Sequence, residues 1–401
     1  MSSVTKQQNS ATTFGSEATK NAGSTNTRET KQTTGKQLVA IVFILSMATK
    51  MFLLPIFLIQ ATGRDGYIIL SVYGAFDLIT LIPMLITIRI CDVDIFEVLS
   101  SVLGRVGAKI TVAVIWLFLF FKLNTAISEI LTFYGTNVLS DFNTSMMLVV
   151  LLVFLAATGT HTLRSLSRLN EITVPVIVLC LAVLVAIVTM TGFDLANIFP
   201  AVADKKMFSV ALVKHPAWVG DFTPLLLFIG RTKTKKHTWC FAAGSGVIGT
   251  AIAVFFAIAL SAAFGNVPMY VDASTNISNI LQFSVGNVYG RLDMFSSILW
   301  GVSVFVEAAL FFYATCRCAS FVVGKPAHFV ISLSTCVMVY VVQVFALTDP
   351  MIFSVTVTSQ ACAIVTPVLA AALPILALVC ALIYKSRHKE KREGEVKNDN
   401  A

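Results

Sequence analysis

Charge is scarce in this sequence. Asp, Glu, Lys and Arg make up only 12% of its 401 residues, against 56% hydrophobic residues, which is about half the charged share of an ordinary globular protein. So few charges cannot cover a water-facing surface, so the solvent of this chain is lipid. The eight cysteines (Cys91, Cys180, Cys240, Cys316, Cys318, Cys336, Cys362, Cys380) fall mostly inside apolar runs or in loops assigned below to the cytosol, which points away from a disulfide framework. Cys316 and Cys318 are two apart, do not face one another on a helix, and lack the second Cys or His pair that zinc needs. Hydrolase, kinase and phosphate-loop signatures are missing too. Gly244-Ser245-Gly246 lies in an apolar run with no strand before it, so close helix packing is its reading. Without a catalytic constellation, neither an enzyme nor a cofactor is expected. The five histidines are scattered, only His215 falls outside the segments assigned to the cytosol, and surface roles are expected for them.

Apolar runs near 20 residues fill most of the chain instead, each about the length that crosses roughly 30 Å of hydrocarbon as a helix. They predict an all-α membrane protein of about ten transmembrane helices, at 37–60, 66–89, 109–134, 144–160, 170–191, 206–230, 239–264, 291–316, 326–347 and 361–384. Three parts are expected: a disordered polar tail at 1–36, rich in Ser, Thr, Asn, Gln and Lys, a membrane domain at 37–384, and a basic tail at 385–401. With the N-terminus inside, 22 Lys and Arg fall on the cytosolic side and five (Arg64, Lys205, Lys206, Lys214, Arg291) on the other. An even helix count with both termini cytoplasmic fits that asymmetry. The run Arg231 to Lys236 is thereby a topology signal rather than a nucleic-acid patch, and the net charge of +8 calls for no nucleic-acid partner.

A charge near the bilayer centre costs about 2.5–3.5 kcal/mol on insertion scales and so calls for a partner, a wet cavity or a function. At 1.5 Å per residue from the helix ends, Lys50, Asp77, Lys122, Asp221 and Glu307 fall at middle depth, on predicted helices 1, 2, 3, 6 and 8. Glu129 counts out close to the outer interface, where hydration satisfies it. Static ion pairs such as Lys50 with Asp77 would account for these charges singly; for the set, a shared polar cavity is the simpler account. Three acids against two lysines leave one negative charge for a proton or a bound cation to balance. Two of the charges sit beside helix breakers: Pro55 loosens the carbonyl of Met51 beside Lys50, and Pro224 that of Gly220 beside Asp221. Helices 1 and 6 are therefore expected to be interrupted, at corresponding places in two five-helix halves, which points to a midplane substrate site. Candidate binding residues are Ala48, Thr49, Lys50, Asp77, Lys122, Gly220, Asp221, Phe222 and Glu307.

Several segments together resemble the B subunit of bacterial spore germinant receptors, a family within the amino acid, polyamine and organocation transporter superfamily. They are Gln37-Leu38-Val39-Ala40, Ala48-Thr49-Lys50-Met51-Phe52-Leu53-Leu54-Pro55, the loop from Gly159 through His161, Arg164 and Arg168 to Ile172, Ala263-Phe264-Gly265, Arg291-Leu292-Asp293 through Trp300, and Pro374 in the last helix. The resemblance runs from about Gln37 to the C-terminus. It implies two inverted five-helix repeats (LeuT-like) with a germinant, often a small amino acid, bound between helices 1, 3, 6 and 8. It also implies a spore inner-membrane location beside an A-type subunit and a C-type lipoprotein. A proton-coupled amino-acid permease is the alternative. One departure stands out: the family usually carries glycine at the break in helix 1, where this chain has Ser46-Met47-Ala48-Thr49-Lys50. Lys50 either contacts an anionic group of the ligand or plugs the site.

Overall fold

The computed structural model describes residues 33–51, 53–62, 65–137, 143–190, 195–199, 205–233, 235, 237–264, 292–324, 328–347 and 350–399. Most of the polar N-terminal tail, residues 1–32, and Arg64, Lys236, Arg291 and Lys325 lie outside them.

The first span is two helices, α1 (Gly35–Met47) and α2 (Leu53–Thr62), separated by a turn over 48–51. A capping box starts α1: the Thr34 hydroxyl accepts from Gln37 N and the Gln37 side chain accepts from Thr34 N. Pro55 stands in the first turn of α2, where its missing N–H costs nothing and its ring excludes a helical residue 51. The next four spans are α3 (Gly66–Ile90), α4 (Ile95–Asn137), α5 (Thr144–Thr160) and α6 (Leu163–Met190). Helix α4 begins 14 residues before the predicted start, because Gly104, at φ 73°, turns a short arm, 95–103, into the span.

The sixth span departs furthest from a regular helix. A ten-residue helix, α7 (Lys205–Lys214), gives way to 3-10 turns at Pro216–Trp218 and Thr223–Phe228, with Gly220 at φ 88° between them. The break expected around Gly220 and Pro224 thus takes in both 3-10 turns, and no α-helix follows within this span among the described residues. Then follow α8 (Thr238–Phe264), α9 (Leu292–Val323) and α10 (His328–Val342), which passes into a π-helical turn at Gln343–Leu347. A short helix, α11 (Pro350–Val357), leads to α12 (Gln360–Asp399), which carries Pro367 and Pro374 and continues beyond 384, where the last span is expected to end.

Six of the described helices are each long and apolar enough to cross a membrane alone. Their outer faces carry large apolar side chains such as Ile79, Val106, Val153, Leu179 and Val337, all more than half exposed, as lipid contact requires and water does not tolerate over so wide a surface. Inside, α4 packs on α9, and α8 on α1 and α3. Glycine makes two of these approaches possible: a Cβ on Gly249 would lie 1.9 Å from Ser46 Oγ, and one on Gly301 would lie 1.8 Å from the Tyr134 hydroxyl oxygen. At one end of the bundle Thr33–Thr34 pairs in parallel with Thr232–Lys233, tying the start of the first span to the loop after the sixth. Lys36, Arg164 and Arg231, all assigned to the cytosol by the charge count, gather at this same end.

Candidate functional site

The two breaks face each other across the core. Lys50, in the turn between α1 and α2, extends its ammonium between two aspartates: it donates to Asp77 Oδ2 on α3 and lies 2.8 Å from Asp221 Oδ2 in the sixth-span break. Asp221 is shared in turn, its Oδ1 pairing with Lys122 Nζ from α4. The result is an alternating chain, Asp77–Lys50–Asp221–Lys122, in which every side chain is at least 97% buried. Four such charges are tolerable when buried because each meets opposite charge on contact.

The irregular backbone is bonded into this chain. Asp77 Oδ1 accepts from Gly220 N at 2.7 Å, so one carboxylate on α3 holds both the lysine of the first break and the backbone of the second. Lys122 Nζ also donates to the Ala217 carbonyl at 3.0 Å, and Thr49 Oγ1 lies 3.5 Å from Asp221 Oδ2. Glu307 Oε2 on α9 accepts from Thr49 N at 3.2 Å, and Trp300 Nε1 donates to the Ala48 carbonyl at 3.0 Å. The Phe222 ring lies under Lys50 Nζ, 5.9 Å from it to the centroid. Backbone groups released by the breaks thus find side-chain partners, which is what unwound chain at membrane depth requires. All nine sequence-selected residues, Ala48, Thr49, Lys50, Asp77, Lys122, Gly220, Asp221, Phe222 and Glu307, meet in this one region. The pairing of Lys50 with Asp77, named as the static alternative, is present as part of the larger chain.

Two residues stand differently from expectation. Glu129, placed near the outer interface by counting from residue 109, is fully buried and accepts a hydrogen bond from the Trp218 indole. Distance from a helix end does not say what packs over a side chain, and here the sixth-span break covers it. Its spacing offered a better signal, since Glu129 lies seven residues from Lys122, two helical turns along the same face. His215, expected at the surface, is only 8% exposed, at the foot of the break.

Four buried carboxyls therefore surround two buried lysines. The alternating chain uses two of each, leaving Glu129 and Glu307 with one oxygen apiece, Oε2 and Oε1, that has no hydrogen-bond partner among the described residues. A second polar cluster borders the site on α4, where Gln343 Nε2 donates to the Asn124 carbonyl at 2.9 Å and Ser128 donates to Gln343 Oε1 at 3.0 Å. It fastens the π-helical turn to the helix that carries Lys122 and Glu129. No short sequence motif announces it, because Gln343 lies more than 200 residues from its two partners.

No protein-family model and no curated protein matches this sequence. Solved membrane transporters share its fold. Mhp1, a nucleobase-cation-symport-1 family transporter in a closed conformation with bromovinylhydantoin bound, is similar over 86% of this chain and 78% of its own, at 13% identity and a TM-score of 0.60. A manganese transporter of Eremococcus coleocola, in complex with an aromatic bis-isothiourea compound, is similar over 86% and 78%, at 12% identity and a TM-score of 0.53. At these identities the likeness is one of fold. The chain is an all-α membrane protein of the LeuT type, with two inverted five-helix repeats and the first helix of each interrupted.

Proposed function

We propose that this chain binds a small zwitterionic nutrient, of the amino-acid class, between its two broken helices, and that it does so as the germinant-sensing subunit of a spore germination receptor. The observation that carries the binding reading is the alternating chain Asp77–Lys50–Asp221–Lys122 set between the breaks. A ligand with one carboxylate and one ammonium can enter such a chain by exchange, its carboxylate taking the lysine and its ammonium an aspartate, so that no buried charge is left alone. A bare anion or cation would leave one unpaired. Sensing is favoured over bulk passage because the chain's own Lys50 ammonium bridges two acids between the breaks, which supports the plugging role for that residue. The family resemblance from Gln37 onward supports A-type and C-type subunits as partners, both termini in the cytosol, and the spore inner membrane as the location.

The second reading, a proton-coupled amino-acid permease, is favoured by the two left-over carboxyls. Glu129 and Glu307 have no lysine of their own, and a proton on each, or a captured cation, would balance them.

Spores lacking this chain should lose their germination response to one or more small amino acids. Complementation with Lys50→Met at normal abundance should shift the effective concentration about tenfold or more. Purified full-length protein in liposomes should bind the same amino acid without accumulating it. Accumulation driven by an imposed pH gradient would replace the sensing reading with the permease reading, and an unchanged germination response together with no binding across an amino-acid panel would sink both.

A further inference from the structure

A second site lies outside the breaks, at the end of the bundle that carries the Lys and Arg excess. A cavity of about 1150 Å³ opens between the start of α1, the start of α6 and the segment leading into α8. Six basic side chains converge on it: Lys36, Arg164, Arg168, Lys233, Lys235 and His237. Glu171 is the one acid in its lining, and its Oε2 already accepts from Gln37 Nε2 at 3.2 Å. Five Lys and Arg against that single carboxylate leave four positive charges in excess, with His237 in addition. We infer that this pocket binds a phosphate-bearing anion, the headgroup of an anionic phospholipid.

Three features carry the inference. Topology alone requires basic residues anywhere on one side of the membrane, not three chain segments converging on one cavity; Arg105 and Lys109, which serve the same count, do not line it. The walls are also held in place, because the pairing of Thr33–Thr34 with Thr232–Lys233 fixes the α1 terminus against the segment that supplies Lys233 and Lys235. Finally, the mouth is amphipathic. Phe241, on the first turn of α8, lines it and is 68% exposed, and Val39 adds an apolar wall. A basic pocket with an apolar lip at the membrane boundary suits a phosphate joined to acyl chains. Neither tail of the chain complements it, for residues 1–32 carry four Lys and Arg against two acids, and residues 385–401 carry six against four.

The test uses the full-length protein in phosphatidylcholine nanodiscs with added phosphatidylglycerol, read by native mass spectrometry and by the dissociation constant of a fluorescent phosphatidylglycerol. The wild type should retain phosphatidylglycerol in preference to phosphatidylcholine. Lys36→Gln/Arg168→Gln/Lys235→Gln, all on exposed positions, should weaken it by about fivefold per charge, or roughly a hundredfold together. A matched set on the same end but outside the cavity, Arg105→Gln/Lys109→Gln/Lys385→Gln, should change it less than about threefold. Equal loss in the two sets, or equal retention of both lipids, overturns the site. A separate arm adds inorganic phosphate to nanodiscs without phosphatidylglycerol. Phosphate stabilising the wild type but not the pocket variant would keep the phosphate chemistry and overturn the lipid as its source; no effect of phosphate, with lipid binding intact, assigns the site to the headgroup.

Discussion

Asp77→Asn tests the centre of this structure most directly. Asp77 meets two unlike groups, the Lys50 ammonium at Oδ2 and the Gly220 amide at Oδ1. Asparagine preserves the shape and one oxygen for Gly220 but removes the charge. Breaking a buried pair from one side costs about 3–5 kcal/mol. The low end applies, since Lys50 keeps Asp221 at 2.8 Å, giving about 3 kcal/mol. Asp77→Ala removes the oxygen as well and strands a buried amide, which adds about 1–3 kcal/mol. In a Lys50→Met background the lost pairing no longer matters, so Asp77→Asn should cost less than about 1 kcal/mol there and the coupling should exceed about 2 kcal/mol. Reversible unfolding of the purified chain in mixed detergent, with the four proteins of the cycle side by side, measures each quantity. Additivity within about 0.5 kcal/mol, or Asp77→Asn as stable as the wild type, would show that the pair contributes nothing and that the alternating chain is misread.

Other consequences are simpler to check. Trp218→Phe should destabilise the protein by about 1.5–3 kcal/mol, because the indole donates to buried Glu129 and charged groups depend most on such bonds; a neutral outcome in thermal unfolding would refute it. Gly220→Ala places a Cβ 2.8 Å from both Phe118 and Ala370 at a φ of 88°, so membrane abundance should fall, whereas normal abundance would mean that the break tolerates an ordinary backbone. Gly249→Val should lower abundance further by wedging α8 away from Ser46 on α1, measured by quantitative immunoblot of membranes. Removing residues 1–30 should leave insertion intact, because the described contacts begin at Thr33; removing residues 1–37 should not, since the strand pair and the α1 cap go with them.

Much of this was legible in the sequence for one physical reason: lipid makes both rules strict. Hydrocarbon thickness sets span length, so ten spans could be read from apolar runs, and charge is so costly at depth that Lys50, Asp77, Lys122, Asp221 and Glu307 stand out without any partner being known. Pro55 and Gly220 with Pro224 marked the breaks because backbone chemistry there is local. What stayed hidden depends on three-dimensional neighbours or on exact helix ends. Glu129 was expected to be hydrated from its place near a helix end, but what covers it, the Trp218 indole from the sixth-span break, is set by three-dimensional packing. His215 reads as a loop histidine until the break folds over it. The π-helical turn lies inside the apolar run predicted as the span 326–347, and helix α11 follows an interruption that looks like any other loop.

The lysine held between two acids has one more consequence, for concentration rather than geometry. An ammonium on a short tether competes for Asp77 and Asp221 at an effective concentration on the order of millimolar or higher. Under the proposed function, an external amine would meet that competitor before it meets an open site, so trace amounts of ligand would register weakly and occupancy would rise only once supply approaches the tethered group's own strength. Measured affinity is then the intrinsic affinity divided by the cost of displacing Lys50. In the proposed sensor, a residue that occupies both aspartates in the absence of ligand would thereby set how much nutrient counts as enough.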